Sequence, residues 1–325
     1  MTPHEWTPEL DRVEEQVALT EIAVAHATKK GQMEDADRED PTAEPDDHPS
    51  ALVQWAGGKS RLVPEILKRL PKTCRRYYEP FAGSAAVFWA YRPFATHATI
   101  SDVNDALIDM YAAVQRHPSR VENALLEHEA RHSESHYYNV RHQFNEASPR
   151  ERGTSTRAAQ FMYLNRAGYN GLWRVNSKGA YNVPWGKRKK ISVPTSGAFA
   201  AAWQALRGVD LMKAHYAHAI RLAGAGDVVY CDPPYVGTFA DYSADGFTDE
   251  SHRELKAALF AAAHRGAHVL LSINDCPLSR ELYDGRRVEG DVRAKIDRLS
   301  VKHMVGPTEK QRKVVPEMLV TIARR

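Results

Sequence analysis

Val228-Val229-Tyr230-Cys231-Asp232-Pro233-Pro234-Tyr235 is the stretch of this chain that decides its fold. The β-branched and aromatic residues at 228–230 predict a short buried strand. Two consecutive prolines, Pro233 and Pro234, cannot continue a ladder, so the strand is expected to stop at Asp232. In open α/β sheets, a strand that stops this way opens into the crevice beyond the carboxyl ends, where ligands bind. The plainer reading is a strand end closed by a Pro-Pro turn, with Asp232 as a cap.

The chemistry available at that corner follows from its hydrogen-bonding groups. An ionised Asp232 only accepts hydrogen bonds, and Pro233 offers a carbonyl with no competing N–H, so the pair suits a substrate carrying an –NH2 group. Tyr235 adds a flat face for stacking. An exocyclic base amine is a poor nucleophile because its lone pair is delocalised into the ring. Two acceptors gripping its hydrogens favour the pyramidal, attacking geometry. A methyl sulfonium held in line would be displaced directly, without a covalent enzyme intermediate.

Upstream, Tyr77-Tyr78-Glu79-Pro80-Phe81-Ala82-Gly83-Ser84 leads from a strand-like stretch into a small-residue turn and a helix-like one. This is the setting in which a nucleotide-like ligand meets a helix N-terminus. Asp102 follows Gly83 by 19 residues, at the end of the next apolar run, where an acid can bind ribose hydroxyls. Gly58-Lys59-Ser60 imitates the end of a phosphate-binding loop, but Val53 stands where that motif needs its first glycine. Trp55 and Lys59 are expected instead to reach the crevice, the ammonium near a carboxylate and the indole beside an adenosyl group; the alternative is a helix-entry loop with a packed Trp.

The formal charge of +3 conceals a division. Residues 1–50 carry 14 acids against 4 bases, so the remaining 275 residues hold 40 bases against 27 acids. A basic body of that kind suits a polyanionic partner. Between Arg150 and Lys190 there are 10 Lys and Arg against the single acid Glu151, interleaved with Tyr163, Tyr169, Trp173, Tyr181 and Trp185, a composition that favours nucleic acid. Three scattered cysteines, Cys74, Cys231 and Cys276, form neither a disulfide framework nor a Cys-rich metal site, so a reducing cytosol is expected. No metal is expected, because the 15 histidines show no ligand spacing. No apolar run approaches the ~18 residues of a membrane span.

Residues 7–30 predict a partly amphipathic helix and 31–50 an acidic linker. Helices are predicted over 105–116, 119–132 and 155–165, followed by a Gly-, Asn- and Trp-rich loop or short hairpin to Pro194. The α/β pattern returns after Asp210, with Thr248 capping a helix, a strand over 267–273 and an antiparallel pair over 299–305 and 318–323. The helical segment is therefore an insert, and two folded domains are expected.

Trp55-Ala56-Gly57-Gly58-Lys59, Glu79-Pro80-Phe81-Ala82-Gly83-Ser84, Ser101-Asp102-Val103-Asn104-Asp105, the run from Tyr163 to Gly186, and Val228 to Tyr235 resemble, in this order, the Dam-type (D12 class, alpha group) DNA adenine N6-methyltransferases. The likeness spans roughly residues 52–325. It implies an α/β fold, a Rossmann-like mixed seven-stranded sheet with an inserted, mostly helical DNA-recognition domain. The implied division is a catalytic domain of residues 51–108 and 207–325, a target-recognition domain of 109–206, and an N-terminal extension of 1–50. The resemblance further implies methyl transfer from S-adenosyl-L-methionine to a flipped adenine in double-stranded DNA, usually within GATC, by a cytoplasmic enzyme of a bacterium, archaeon or phage.

Carried over position by position, Trp55, Lys59, Phe81, Gly83, Asp102 and Asp232 would hold the cofactor, and Asp232, Pro233, Pro234 and Tyr235 the target base. Tyr169 and Asn170 match the pair that enters the DNA stack, Arg174 a guanine-reading arginine, and Leu172 and Pro184 apolar base contacts. Arg166 and the basic run 187–190, with Arg188, would meet phosphate. Three departures stand out. Ala85 replaces the second glycine of the cofactor turn, so either its φ is negative or the turn is remodelled; Gln54 replaces a lysine that touches the outermost guanine in enteric members; Arg188 replaces an aromatic residue. The corner itself would also serve an N4-cytosine or RNA adenine methyltransferase, and a catalytically inactive DNA-binding regulator is the non-enzymatic alternative.

Overall fold

The computed structural model of the chain describes residues 51–237, 247–283, 288–302 and 314–324. The helix and acidic linker expected within residues 1–50 lie outside the described residues. One sheet organises the rest. Its strands are β1 (Cys74–Glu79), β2 (Ala95–Asp102), β3 (Val209–Lys213), β4 (Val228–Cys231), β5 (His268–Asn274), β6 (Val288–Glu289), β7 (Val292–Lys302) and β8 (Val314–Arg324), in the order β3-β2-β1-β4-β5-β8-β7-β6. The first five in that order are parallel and the last three antiparallel. Seven strands make the expected mixed sheet. The eighth, β6, is a two-residue addition that folds back on β7 through a turn at Gly290, whose φ of +63° is open to glycine without penalty.

Period-two alternation sends successive side chains to opposite faces, and both faces are covered. Tyr77, Val228, Tyr230, Leu270 and Leu319 face one apolar layer, and Tyr78, Val229, Cys231, Val269 and Leu271 the other. On the second face lie α8 (Tyr216–Leu222), α9 (Asp249–His264) and α10 (Pro277–Tyr283). Thr248 caps α9 as expected, its hydroxyl accepting from Ser251 N–H.

The first face carries α1 (Val63–Leu67), α2 (Ala86–Tyr91) and the start of the insert: α3 (Asp105–Arg116), α4 (Pro118–Ala130), α5 (Glu134–Glu146), α6 (Ser155–Ala167) and α7 (Ser196–Leu206). The helices expected over 105–116, 119–132 and 155–165 are α3, α4 and α6. Helix α6 is buried on nearly every side, from Ala158 to Asn165, against α3, α4 and α5. The insert has no separate core: one buried cluster runs from Tyr77 and Ile100 in the sheet to Phe161 and Leu164 in α6. The α6–α7 connection is irregular, as expected, with isolated bridges Gly168–Trp185 and Val175–Tyr181. Among the described residues, no helix is long and apolar enough to cross a membrane.

Candidate active site

The parallel strands β1, β2 and β4 end at one edge of the sheet with Glu79, Asp102 and Cys231, and the 232–235 turn begins there. The antiparallel β8 starts at the same edge, because Glu317 near its N-terminal end pairs with Asn274 at the carboxyl end of β5. Distant parts of the chain thus meet around Asp232.

Lys59 lies in the loop before α1 and turns inward. Its Nζ sits 2.5 Å from Asp232 Oδ1, with side chains 3% and 19% exposed respectively. It also donates to the Gly57 carbonyl at 2.8 Å and lies 5.0 Å from the Tyr235 ring centroid. A buried ion pair survives only when its remaining donors are satisfied, and the Gly57 carbonyl supplies one such partner. The ammonium thus points to Asp232 and the Gly57 carbonyl, in keeping with the expectation that it reaches the crevice near a carboxylate.

Two further carboxylates crowd this edge, and neither was among the expected site residues. Glu317 is buried, with Oε1 4.0 Å from Lys59 Nζ, and Oε2 accepts from the Tyr235 hydroxyl. Burial pushes its carboxyl up to about 7, against the pull of Lys59. Glu79 accepts from the Tyr77 hydroxyl at 2.6 Å, and burial pushes it up to about 8. Each is a lone acid within an apolar or aromatic run, and that mismatch was the available signal. Asn274 completes the frame: its Oδ1 accepts from Val236 N–H at 2.9 Å and its Nδ2 donates to the Val236 carbonyl at 3.1 Å.

Beside this corner, the structure brings Trp55, Gly83 and Asp102 together. Gly83 has φ +46°, and a Cβ there would sit 2.6 Å from Trp55 Cδ1, so the indole lies directly on the glycine turn. Gly83 N–H donates to Asp102 Oδ2 at 3.1 Å and Asn104 N–H to Oδ1 at 2.9 Å. The Val103 N–H also reaches this carboxylate, which leaves about one of its roughly four lone-pair sites for a ligand hydroxyl. Burial raises the Asp102 carboxyl, and these N–H groups oppose the rise. Phe81 is half-buried and stacks on Tyr216, with ring centroids 5.2 Å apart. At Ala85 the negative φ that the sequence allowed is ruled out. Its φ is +55°, so alanine occupies the left-handed conformation that glycine would favour, at a strain of roughly 1–2 kcal/mol. Its amide closes the turn on the Ala82 carbonyl.

The insert presents a second surface. Tyr169 is 45% exposed and Leu172 36%, with Asn170 at φ +53° between them. Arg174 and Pro184 are exposed nearby in the chain; Tyr169 N–H donates to the Pro184 carbonyl at 2.9 Å, and Arg174 Nε to Asn182 Oδ1 at 2.8 Å. Buried Asn165 ties this surface to the Trp55 loop. Its Oδ1 accepts from Gln54 N–H at 2.8 Å, and its Nδ2 donates to the carbonyls of Gln54 and Gly171 at 2.8 and 3.0 Å.

Two expectations change here. Arg166, read as a phosphate contact, donates instead to the carbonyls of Ser192 at 2.7 Å and Leu52 at 2.9 Å, so its guanidinium clamps the chain internally. Of the five interleaved aromatics, Tyr163 and Tyr181 are buried, Trp173 and Trp185 are half-buried against the core, and only Tyr169 is exposed. The aromatic density reflects packing rather than a stacking surface. Lys187, Lys189 and Lys190 are exposed, and Arg188 is half-buried with its carbonyl accepting from His132 Nε2 at 3.0 Å.

Known proteins resemble this chain over most of its length. The family described as D12 class N6 adenine-specific DNA methyltransferase matches residues 55–303. The chain is 36% identical over 235 residues to the Retron Ec67 DNA adenine methylase of Escherichia coli, covering 72% of this chain and 80% of that protein. It is 33% identical over 275 residues to the DNA adenine methylase of Escherichia coli strain K12, covering 83% and 94%. With the type II methyltransferase M1.LlaDCHI of Lactococcus lactis it shares 31% over 239 residues, covering 71% and 84%. An rRNA methylase structure from Streptococcus thermophilus overlays with TM-score 0.33 at 7% identity, covering 82% of this chain and 93% of that one. By its profile match and by its identity to these relatives, the chain belongs to the D12 class N6 adenine-specific DNA methyltransferases.

Proposed function

We propose that the protein transfers methyl from S-adenosyl-L-methionine to N6 of an adenine flipped out of double-stranded DNA, within the sequence GATC. The observation that carries this reading is the Lys59–Asp232 pair at the mouth of the 232–235 turn, beside the Trp55–Gly83–Asp102 cradle. The residues fit the cofactor: an acid with lone-pair capacity left for a ribose hydroxyl, an indole laid on a left-handed glycine, and two carboxylates, Asp232 and Glu317, around a single ammonium where a sulfonium would approach. When bound, S-adenosylmethionine supplies an electrophilic methyl group.

This chain's own residues do the rest. Asp232 and the Pro233 carbonyl accept the hydrogens of the adenine amine, Tyr235 stacks on the base, and Pro234 rigidifies the turn between them. Direct displacement needs no Cys or Ser nucleophile. Asp232 would take the amine proton as the new C–N bond forms and the methyl–sulfur bond breaks, the neutral thioether being the leaving group. On the insert, residues 109–206, Tyr169 and Asn170 fill the gap left by the extruded base, Arg174 reads a guanine, and Leu172 and Pro184 contact the remaining pair. Exposed Lys187, Lys189 and Lys190, with Arg188, meet phosphate. The intact Lys59–Asp232 pair favours this reading over an inactive DNA-binding regulator.

The test is methylation of unmethylated plasmid DNA by the purified protein with labelled S-adenosylmethionine, followed by mapping at base resolution. N6-methyladenine confined to GATC is expected. Label on cytosine, or only on RNA substrates, would overturn the assignment.

A further inference from the structure

Glu317 is buried at the site edge and has no part in the chemical step above, yet it is bonded to the catalytic turn. Its cross-strand partner is Asn274. That pair fastens two consecutive residues: Glu317 takes the Tyr235 hydroxyl, and Asn274 grips both the N–H and the carbonyl of Val236. Glu317 Oε1 also lies 4.0 Å from Lys59 Nζ, the same ammonium that sits 2.5 Å from Asp232. One ammonium therefore serves two carboxylates.

We propose that Glu317 is a positioning residue for methyl transfer: it fixes the Tyr235 ring through its hydroxyl and shares Lys59 with Asp232, leaving the Asp232 carboxylate negative enough to grip the adenine amine. The inference rests on the methyl-transfer reading given above. An ammonium paired with Asp232 alone would neutralise the acceptor that the amine needs. With Glu317 ionised, the positive charge is divided. The groups facing Glu317 are Lys59 from the loop before α1, Asp232 and Tyr235 from the turn, and Tyr230 on β4, while β7 opposes it with uncharged Leu299. Because burial holds its carboxyl near 7, Glu317 loses its charge as the solution is acidified through neutrality.

The experiment compares wild type, Glu317→Gln and Tyr235→Phe in single-turnover methylation of plasmid DNA with labelled S-adenosylmethionine, from about pH 5.5 to about pH 9. Thermal melting and the KM for each substrate are measured alongside. Wild-type turnover should rise with pH through a group near 7. Glu317→Gln should lower kcat at least about tenfold, leave both KM values within about twofold, and abolish that limb. Tyr235→Phe should move the limb to higher pH, because the hydroxyl that stabilises the ionised carboxylate is gone.

Wild-type kcat with an unchanged limb in Glu317→Gln overturns the proposal. So does a loss that appears in both KM values together with the melting temperature. If Glu317→Gln does not fold, Tyr235→Phe decides alone, and an unmoved limb overturns the proposal. Absence of methyl transfer in the wild type would sink the functional reading instead, a separate result.

Discussion

Replacing Glu79 by Gln tests the charge arrangement beneath the site through stability alone. The carboxyl has an ordinary value of 4.5 and is pushed to about 8 in the folded protein, first by burial and then by the charge of Asp232, against the Tyr77 hydroxyl. The folded state therefore binds a proton that the unfolded chain releases. A raised value means that the contribution is fully present below 4.5 and is lost as pH rises through about 8. At 1.36 kcal/mol per unit, Glu79 alone should remove about 2–3 kcal/mol of stability between roughly pH 5 and pH 7. Gln still accepts from Tyr77 and does not titrate. The assay is urea denaturation of both proteins at each pH, reading wild-type stability minus that of Glu79→Gln. That difference should fall by about 2–3 kcal/mol across the interval. A difference flat to within about 0.5 kcal/mol would refute the claim that Glu79 is held protonated.

Arg174→Ala should relax discrimination at one base pair by about 1–3 kcal/mol in competitive methylation of duplexes differing at single positions; uniform weakening across all sequences would place Arg174 on phosphate instead. Asn165→Asp keeps the oxygen that accepts from Gln54 N–H but turns a second oxygen toward the carbonyls of Gln54 and Gly171. It should destabilise the protein by about 2–4 kcal/mol in thermal or urea melts, and a change below about 0.5 kcal/mol would contradict the tie between the Trp55 loop and the Tyr169 turn.

The parallel half of the sheet was legible because each strand announced itself locally: Val228 to Tyr230 as an apolar run closed by prolines, and Asp102 by its spacing from Gly83. Lys59 and Asp232 were legible individually, and the inward turn of Lys59 follows from the same local reading. Glu317 was legible only as a lone acid in an apolar run, not as part of this site. It stands 85 residues beyond Asp232, and only the antiparallel entry of β8 returns it to the site. Ala85 illustrates the limit of propensity: alanine disfavours positive φ, yet the turn imposes +55° because Ala85 is buried and its amide is bound to the Ala82 carbonyl. Arg166 and the aromatics near it misled for a different reason. Composition reports charge and ring density but not direction, and in this insert most of the rings and the Arg166 guanidinium point inward.

The most direct test of the central claim, that Asp232 receives the adenine amine, is single-turnover methyl transfer by Asp232→Ala with DNA binding measured on the same preparation. Methyl transfer should fall by at least about a hundredfold, since a preorganised acceptor for the reacting group is removed, while DNA affinity stays within a few-fold of wild type. Methyl transfer at the wild-type rate from Asp232→Ala would contradict it.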